Sequence, residues 1–385
     1  MRPILSVLSF CLLLFSESIA QKPKITRGPY LQMAYSKKVS ELATTASVTV
    51  RWWTDVPMVG RVVYSSEPEY ELLGQGSPMV EETVAGTDHK ITLTGLKAGQ
   101  QYRYYIAGTA VTQPASLPVI LETSPEHFFK TPPLPGTKQM VKMWVLGDFG
   151  YTNPYPPVAN RQDSVIAAWK DFMTVNKTGP MDLWLWLGDN AYEQGNKDEY
   201  QRRIFLRDSS RYDFMFRQTP FYGTPGNHDY YDGTKTGDDL KATRLNKNIH
   251  YYSVVDNFTQ GEGGGEPSLT EAYYSFDYAN IHFVSLDTYG FEKQGDDYKS
   301  ILAPNSVQAQ WLRRDLARAN ANPGINWVIV FTHMPPYTGG SHNSDAEDEL
   351  IYVRQNLVPI LDAYKVDLLV TGHAHGYERT RLMRD

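Results

Sequence analysis

The sequence predicts two domains: an N-terminal all-β sandwich over residues 25–132 and a C-terminal α/β sandwich over residues 138–385. Three observations predict this. Residues 25–132 carry short apolar–polar alternations separated by turns, the period-two pattern of half-buried strands. Thr131-Pro-Pro-Leu-Pro-Gly136 then forms a stiff linker. Beyond it, apolar runs of strand length alternate with helical patterns, the rhythm of α/β proteins.

Residues 1–20 read as a signal peptide. Arg2 supplies a positive start, an apolar stretch runs from Pro3 to Phe15, and Ser18-Ile19-Ala20 is a small-x-small cleavage site ahead of Gln21. This predicts a secreted or periplasmic protein. The stretch is shorter than the roughly 20 residues a membrane span needs, and no later segment is long or apolar enough to span. Cys11, the single cysteine, lies inside the leader, so the mature chain is expected to have no disulfide, no thiolate metal site and no disulfide-linked dimer.

In the β domain, Val48, Val50 and Trp52 alternate with Thr49, Arg51 and Trp53. Residues 61–64, 90–93 and 102–106 form further short strands, and Lys97-Ala98-Gly99 is a turn. In the α/β domain the apolar runs are residues 143–146, 183–187, 281–286, 327–331 and 367–370. Val307, Trp311, Leu312 and Leu316 share one helical face behind a Ser306 N-cap. Leu350, Val353, Leu357, Leu361 and Tyr364 share another, interrupted by Pro359. Gly261–Pro267 reads as a flexible loop insertion. Asn176-Lys-Thr178 and Asn257-Phe-Thr259 are glycosylation sequons if the host glycosylates secreted proteins.

Composition narrows the function classes. With 13% aromatic and 41% apolar residues, the 385-residue chain can bury a sizeable core, which excludes disorder as its main state. The net charge of −6 and the lack of any Lys/Arg run argue against a nucleic-acid partner. Local cations, metal ions among them, would have to attract an anionic substrate.

The chemistry lies where the apolar runs end. Residues 143–146 lead into Gly147-Asp148-Phe149-Gly150, and residues 183–187 into Gly188-Asp189-Asn190-Ala191-Tyr192. Phe221-Tyr-Gly-Thr-Pro leads into Gly226-Asn227-His228-Asp229. Residues 327–332 lead into His333, and residues 367–371 into Gly372-His373-Ala374-His375. Five strand ends thus deliver metal-ligand side chains to one rim, where α/β proteins bind ligands. The seven candidates Asp148, Asp189, Tyr192, Asn227, His333, His373 and His375 are too many for one tetrahedral zinc and suit two ions sharing a bridge. A tyrosine phenolate is a hard anionic donor and favours Fe(III). With a divalent partner, such a centre stays net positive even after two carboxylates, the phenolate and a hydroxide are counted, which suits a phosphate dianion.

These motifs, with Tyr377-Glu378-Arg379 after the last, resemble the purple acid phosphatases of the calcineurin-like metallophosphoesterase superfamily. Arg27-Gly-Pro-Tyr-Leu-Gln32 resembles that family's N-terminal domain, and Leu96–Tyr104 resembles the E–F corner of a fibronectin type III domain. The superfamily's usual Asp-x-His has Gly150 in place of the histidine here, and Tyr192 is present; both point to the purple branch. The resemblance implies a metallophosphoesterase sandwich in which Asp148, Tyr192 and His375 bind Fe(III) and Asp189 bridges. Asn227, His333 and His373 would bind a divalent Fe, Zn or Mn. It implies hydrolysis of small phosphomonoesters at acid pH by a metal-bound hydroxide, with His228 and His342 contacting substrate and His342 as the candidate proton donor. The bland alternative for His342 is a plain loop residue. Arg379 either helps hold an anion or forms a salt bridge. His89, His127, His250 and His282 are expected to be structural or surface residues, and Asp287 a hydrogen-bonded turn. The chain ends ten residues after His375, where the family's domain continues, so the resemblance implies a C-terminal truncation. A phosphodiesterase or nucleotide pyrophosphatase on the same metals is the alternative function. An adhesion protein with a dead metal domain is the second, and peroxide chemistry at the iron a third.

Overall fold

The computed structural model describes residues 22–40, 43–66, 76–111, 118–151, 161–208, 211–231, 234–295, 297–300 and 303–381. The leader, its cleavage site and Cys11 lie outside the described residues. The N-terminal strands are β1 (Ile25–Lys38), β2 (Thr44–Ser66), β3 (Met79–Glu81), β4 (Gly86–Leu96), β5 (Gln101–Ala110), β6 (Val119–Glu122) and β7 (Phe128–Lys130). β2 changes partners along its length. Its first half pairs with β1 and β4, its second with β3 and β5, and the registers shift between Trp53 and Met58. Val48, Val50, Trp52, Val62, Leu93, Tyr104 and Phe129 from both halves share one core.

The α/β region follows with β8 (Met143–Leu146), β9 (Leu183–Leu187), β10 (Phe221–Thr224), β11 (Tyr274–Tyr278), β12 (Ile281–Ser285), β13 (Glu292–Gln294), β14 (Asp297–Lys299), β15 (Trp327–Thr332) and β16 (Leu368–Thr371). Strands β8, β9 and β10 run parallel, as do β12, β15 and β16. β11–β12–β15–β16 form the second sheet. Hydroxyls tie the sheets together near their carboxyl ends. Thr224 Oγ1 and Thr332 Oγ1 both donate to the Leu286 carbonyl, at 2.7 and 3.0 Å. The site's strand ends therefore sit in one cross-braced frame.

The first sheet runs β6-β5-β2-β1-β10-β9-β8, so the N-terminal strands join the parallel strands of the α/β region through a β1–β10 contact, Gln32 opposite Phe221. The Arg27–Gln32 motif makes this junction. Tyr30 packs on Phe205, Phe216 and Phe221. Gln32 donates to the Val254 carbonyl and accepts from the Asp256 amide, both at 2.7 Å. The Arg27 guanidinium lies 3.8 Å from the Trp53 ring centroid and 4.8 Å from that of Phe205. The polar face of β2 is buried as well as the apolar one, because Arg51 pairs with Asp88 and Asp256.

Helix Val307–Ala321 starts as its sequence predicts, with the Ser306 hydroxyl accepting from the Ala309 amide at 3.1 Å. Trp311, Leu312 and Leu316 are buried, but Val307 is exposed and Asp315 is buried on the packed face. The pattern at 350–364 becomes helix Asp348–Tyr352, a π-helical turn at Val353–Leu357 and helix Val358–Ala363, whose first turn takes Pro359. Helix Arg161–Val175 was not anticipated. Its Val165, Phe172 and Val175 point outward, so no single apolar face marks it. Residues 261–267 are not a loose insertion. Gly264 bridges Phe276, Arg318 donates to the Gly265 carbonyl, and Trp311 Nε1 donates to the Glu266 carbonyl. Asn257 is buried, and its side-chain amide donates to the Glu271 carbonyl at 2.8 Å, which closes that sequon to a glycan in the folded chain.

Candidate metal centre

Each strand end hands its side chain to one pit. Asp148, Asp189, His373 and His375 adopt left-handed backbone, with φ of +58°, +49°, +70° and +25°. Such a conformation costs a non-glycine residue about 1 kcal/mol or more, so the surrounding contacts must hold it. Glycines give the approach its room. A Cβ on Gly226 would lie 2.2 Å from Asp189 Oδ1, and one on Gly150 would lie 2.1 Å from the Asn190 carbonyl. A side chain at 150 therefore cannot fit in this arrangement.

Seven donor groups form two sets that share one oxygen. In the first, the Tyr192 hydroxyl lies 2.6 Å from Asp148 Oδ1, 3.0 Å from Asp189 Oδ2 and 3.1 Å from His375 Nε2. His375 Nε2 is 3.3 Å from Asp148 Oδ1. In the second, His333 Nε2 lies 3.0 Å from Asn227 Oδ1 and 3.2 Å from Asp189 Oδ2. The His373 ring is 5.0 Å from that of His333, and its donor lies within 4.8 Å of those of Asp189 and His333. Asp189 Oδ2 belongs to both sets. The second Asp189 oxygen accepts from the His228 amide at 2.8 Å.

The tautomers suit cation binding. His333 Nδ1 lies 2.8 Å from the Leu187 carbonyl, which can only accept, so Nδ1 carries the proton and Nε2 faces the pit. His373 is held neutral: burial and the neighbouring His333 and His342 imidazoles push it down to about 2. Among the protein's own groups, burial would lower His333, but Asp189 raises it to about 9. The resulting imidazolium, with His228, outweighs burial and holds the Asp189 carboxyl below its ordinary range. Burial, and then the Asp189 and Asp148 carboxylates, push the Tyr192 phenol far above its ordinary value. A phenolate in this place needs a highly charged cation to balance it. The donor set, rich in hard oxygen and imidazole nitrogen, fits metal binding, and Asp189, His333 and His373 converge closely enough to hold an ion.

Around the pit, His228 is half-buried and its Nδ1 lies 2.7 Å from the Glu193 carbonyl, which can only accept, so Nδ1 carries a proton. The His342 ring stacks on that of His373 with centroids 3.7 Å apart. Arg379 is exposed and joins none of these contacts. His89, His127 and His282 are buried away from the cluster, and Asp287 Oδ1 accepts from the Tyr289 and Gly290 amides in a turn.

Two supporting residues escaped the sequence reading. Asp229, fully buried, accepts from the Asn190 amide and side chain, the Gly226 amide and the Tyr200 hydroxyl. It braces the loops that carry Asp189 and Asn227. Burial, reinforced by Asp189, lifts its carboxyl to about 6. Its place inside the Gly226–Asp229 motif was the available signal. Glu347 bonds His342 from five residues downstream and had no motif to mark it.

A family model described as calcineurin-like phosphoesterase matches residues 141–377, more than half of the chain. The chain is similar to purple acid phosphatase 18 of Arabidopsis thaliana, at 24% identity over 94% of this chain and 71% of that one. Acid phosphatase type 7 of Homo sapiens is 26% identical over 86% of this chain and 67% of its own length. An uncharacterized protein of Mycobacterium tuberculosis is 29% identical over 44% of this chain, which spans only 29% of that relative. Purple acid phosphatase 22 of Arabidopsis thaliana is spanned for 54% of its length. Among solved structures, purple acid phosphatase from yellow lupin seeds has the same fold, with a TM-score of 0.56 at 14% identity over 91% of this chain and 59% of that one. That fold is an N-terminal sheet domain followed by a metallophosphoesterase domain, with mixed sheets and no closed barrel.

Proposed function

The chain belongs to the calcineurin-like phosphoesterase family, and from that premise we propose that it is an exported acid phosphatase hydrolysing small phosphomonoesters at a dinuclear centre. The observation that carries the reading is the sharing of Asp189 Oδ2 between two donor sets, 3.0 Å from the Tyr192 oxygen and 3.2 Å from His333 Nε2. Asp148, Tyr192, His375 and Asp189 would hold Fe(III); Asn227, His333, His373 and Asp189 would hold a divalent Fe, Zn or Mn. When bound, such a pair supplies Lewis acidity toward phosphoryl oxygens and ionises water below neutral pH. The chain's own residues do the rest. His228 presents Nε2 to a phosphate oxygen because Glu193 holds its other nitrogen. His342 delivers a proton from Nε2 to the departing oxygen. Arg379 is not needed for either step. Export rests on the leader read in residues 1–20; no helix among the described residues is long and apolar enough to cross a membrane.

The test is metal analysis of the purified protein with its visible spectrum, wild type beside Tyr192→Phe, and turnover of mono- and bis-nitrophenyl phosphate. The expected result is two metals per chain, a broad visible band lost in Tyr192→Phe, and preference for the monoester. A colourless wild type fully active on Zn or Mn alone ends the ferric–tyrosinate assignment. Preference for the diester moves the substrate class to phosphodiesters.

A further inference from the structure

The loop that carries His342 is closed by a carboxylate outside every motif. Glu347 Oε2 accepts from His342 Nδ1 at 2.8 Å, and Glu347 Oε1 accepts from the Asn343 amide at 2.6 Å. The Glu347 amide returns a bond to the Asn343 carbonyl at 3.0 Å. Ser344 locks the other side. Its hydroxyl donates to the Thr338 carbonyl and accepts from the Thr338 amide, both at 3.1 Å. Glu347 also opens helix Asp348–Tyr352, so a regular element anchors its backbone.

We propose that Glu347 is the positioning residue for His342: one carboxylate holds both the backbone beside the imidazole and the ring's Nδ1, so that Nε2 is aimed at the leaving-group oxygen. A carboxylate can only accept here, which assigns the proton on this bond to Nδ1. The stack on His373 sets the ring plane, and the Glu347 bond sets its rotation within that plane. Neither contact suffices alone. A stacked ring can spin about its normal, and a single hydrogen bond leaves a half-exposed ring free to tilt. Together they fix a proton donor on a surface loop, where a misplacement of about 1 Å costs up to about 100-fold in rate.

The same atoms admit a rival. His342, Glu347 and His373 offer donors within 4.8 Å of one another, the spacing of a further metal site, and Glu347 Oε2 lies 4.0 Å from His373 Nε2. The positioning reading is favoured because His342 Nδ1 and the Asn343 amide already occupy both Glu347 oxygens as donors.

The inference rests on the proposed phosphatase reading, and a double-mutant cycle separates the two. Glu347→Ala, His342→Ala and the double variant are compared with wild type for metal content and for kcat and KM on aryl phosphates of good and poor leaving groups. Glu347→Ala is expected to keep two metals and to lose about 10–100-fold in kcat on poor leaving groups, with little change in KM. In the His342→Ala background the same change should cost almost nothing further, because the residue acts through His342. Glu347→Gln keeps one acceptor for two donors and should fall between. Additive losses, an equal loss for all leaving groups, wild-type rates in Glu347→Ala, or loss of metal in that variant would each overturn the inference and leave the phosphatase reading standing. A metal-loaded wild type inert to every phosphate ester would overturn both.

Discussion

His282 sits where β12 meets helix Val307–Ala321, with Nδ1 2.7 Å from Asp277 Oδ1 and Nε2 2.9 Å from Asp315 Oδ2. All three residues are buried. Burial would lower the imidazole, but Asp315 and Asp277 together raise it to about 10 from 6.5. A group with a raised folded pKa contributes stability that is whole below its unfolded pKa and fades as pH climbs through the folded one. The contribution is therefore complete below pH 6.5 and lost by about pH 10, at about 1.4 kcal/mol for each pH unit between. Asp315 is held below 3.8, burial being outweighed by His282 and the Ser275 hydroxyl, so its share is present above 3.8 and lost in acid. His282→Leu leaves two buried carboxylates facing an apolar group. Asp315 keeps bonds from the Ser275 hydroxyl and the Glu266 amide, which places the expected loss within about 3–5 kcal/mol at neutral pH. Urea unfolding of both proteins at equal metal loading, from pH 5 to 10.5, checks this. The gap should be widest near pH 6 and close by about pH 10. Two curves that stay parallel across this range would refute the charged triad.

Asp189 belongs to both donor sets and Tyr192 to one, so Asp189→Ala should lose two metals where Tyr192→Phe loses one; elemental analysis after dialysis decides. Removing a supporting partner alone weakens metal binding by about 10–100-fold, so losing a shared ligand should empty both sites at micromolar metal. Arg27→Ala removes the guanidinium wedged between Trp53 and Phe205 and its bond to Gln201 Oε1 at 2.8 Å. The change should cost about 2–4 kcal/mol and speed limited proteolysis at the domain junction, and Arg27→Lys should recover little because the flat fork is lost. Unchanged unfolding would show that the clamp is idle.

Much of this was legible before any fold was drawn. A β strand is short, and side chains at its end leave the sheet, so a Gly-Asp, Gly-Asn or Gly-His step, or a histidine, just after an apolar run marks both the element and a candidate donor. That is why Asp148, Asp189, Asn227, His333, His373 and His375 could be picked out as a set, and why the Ser306 cap and Trp311–Leu316 face were readable: caps and periodicity are local. Tyr192, three residues past Asp189, came with its motif. What stayed hidden depends on distance in the chain. Arg51 and Val307 sit in patterns that predict one exposure, and neighbours distant in the chain, or their absence, decided the other. The Gly261–Pro267 segment reads as loose from composition alone, yet it is tied down by the Gly264–Phe276 bridge and by Trp311 and Arg318. Asp189's membership of two donor sets, and Glu347's hold on His342, are facts of convergence. A sequence records which donors exist, and only the packed sheets, cross-braced at Leu286, bring their atoms within bonding range.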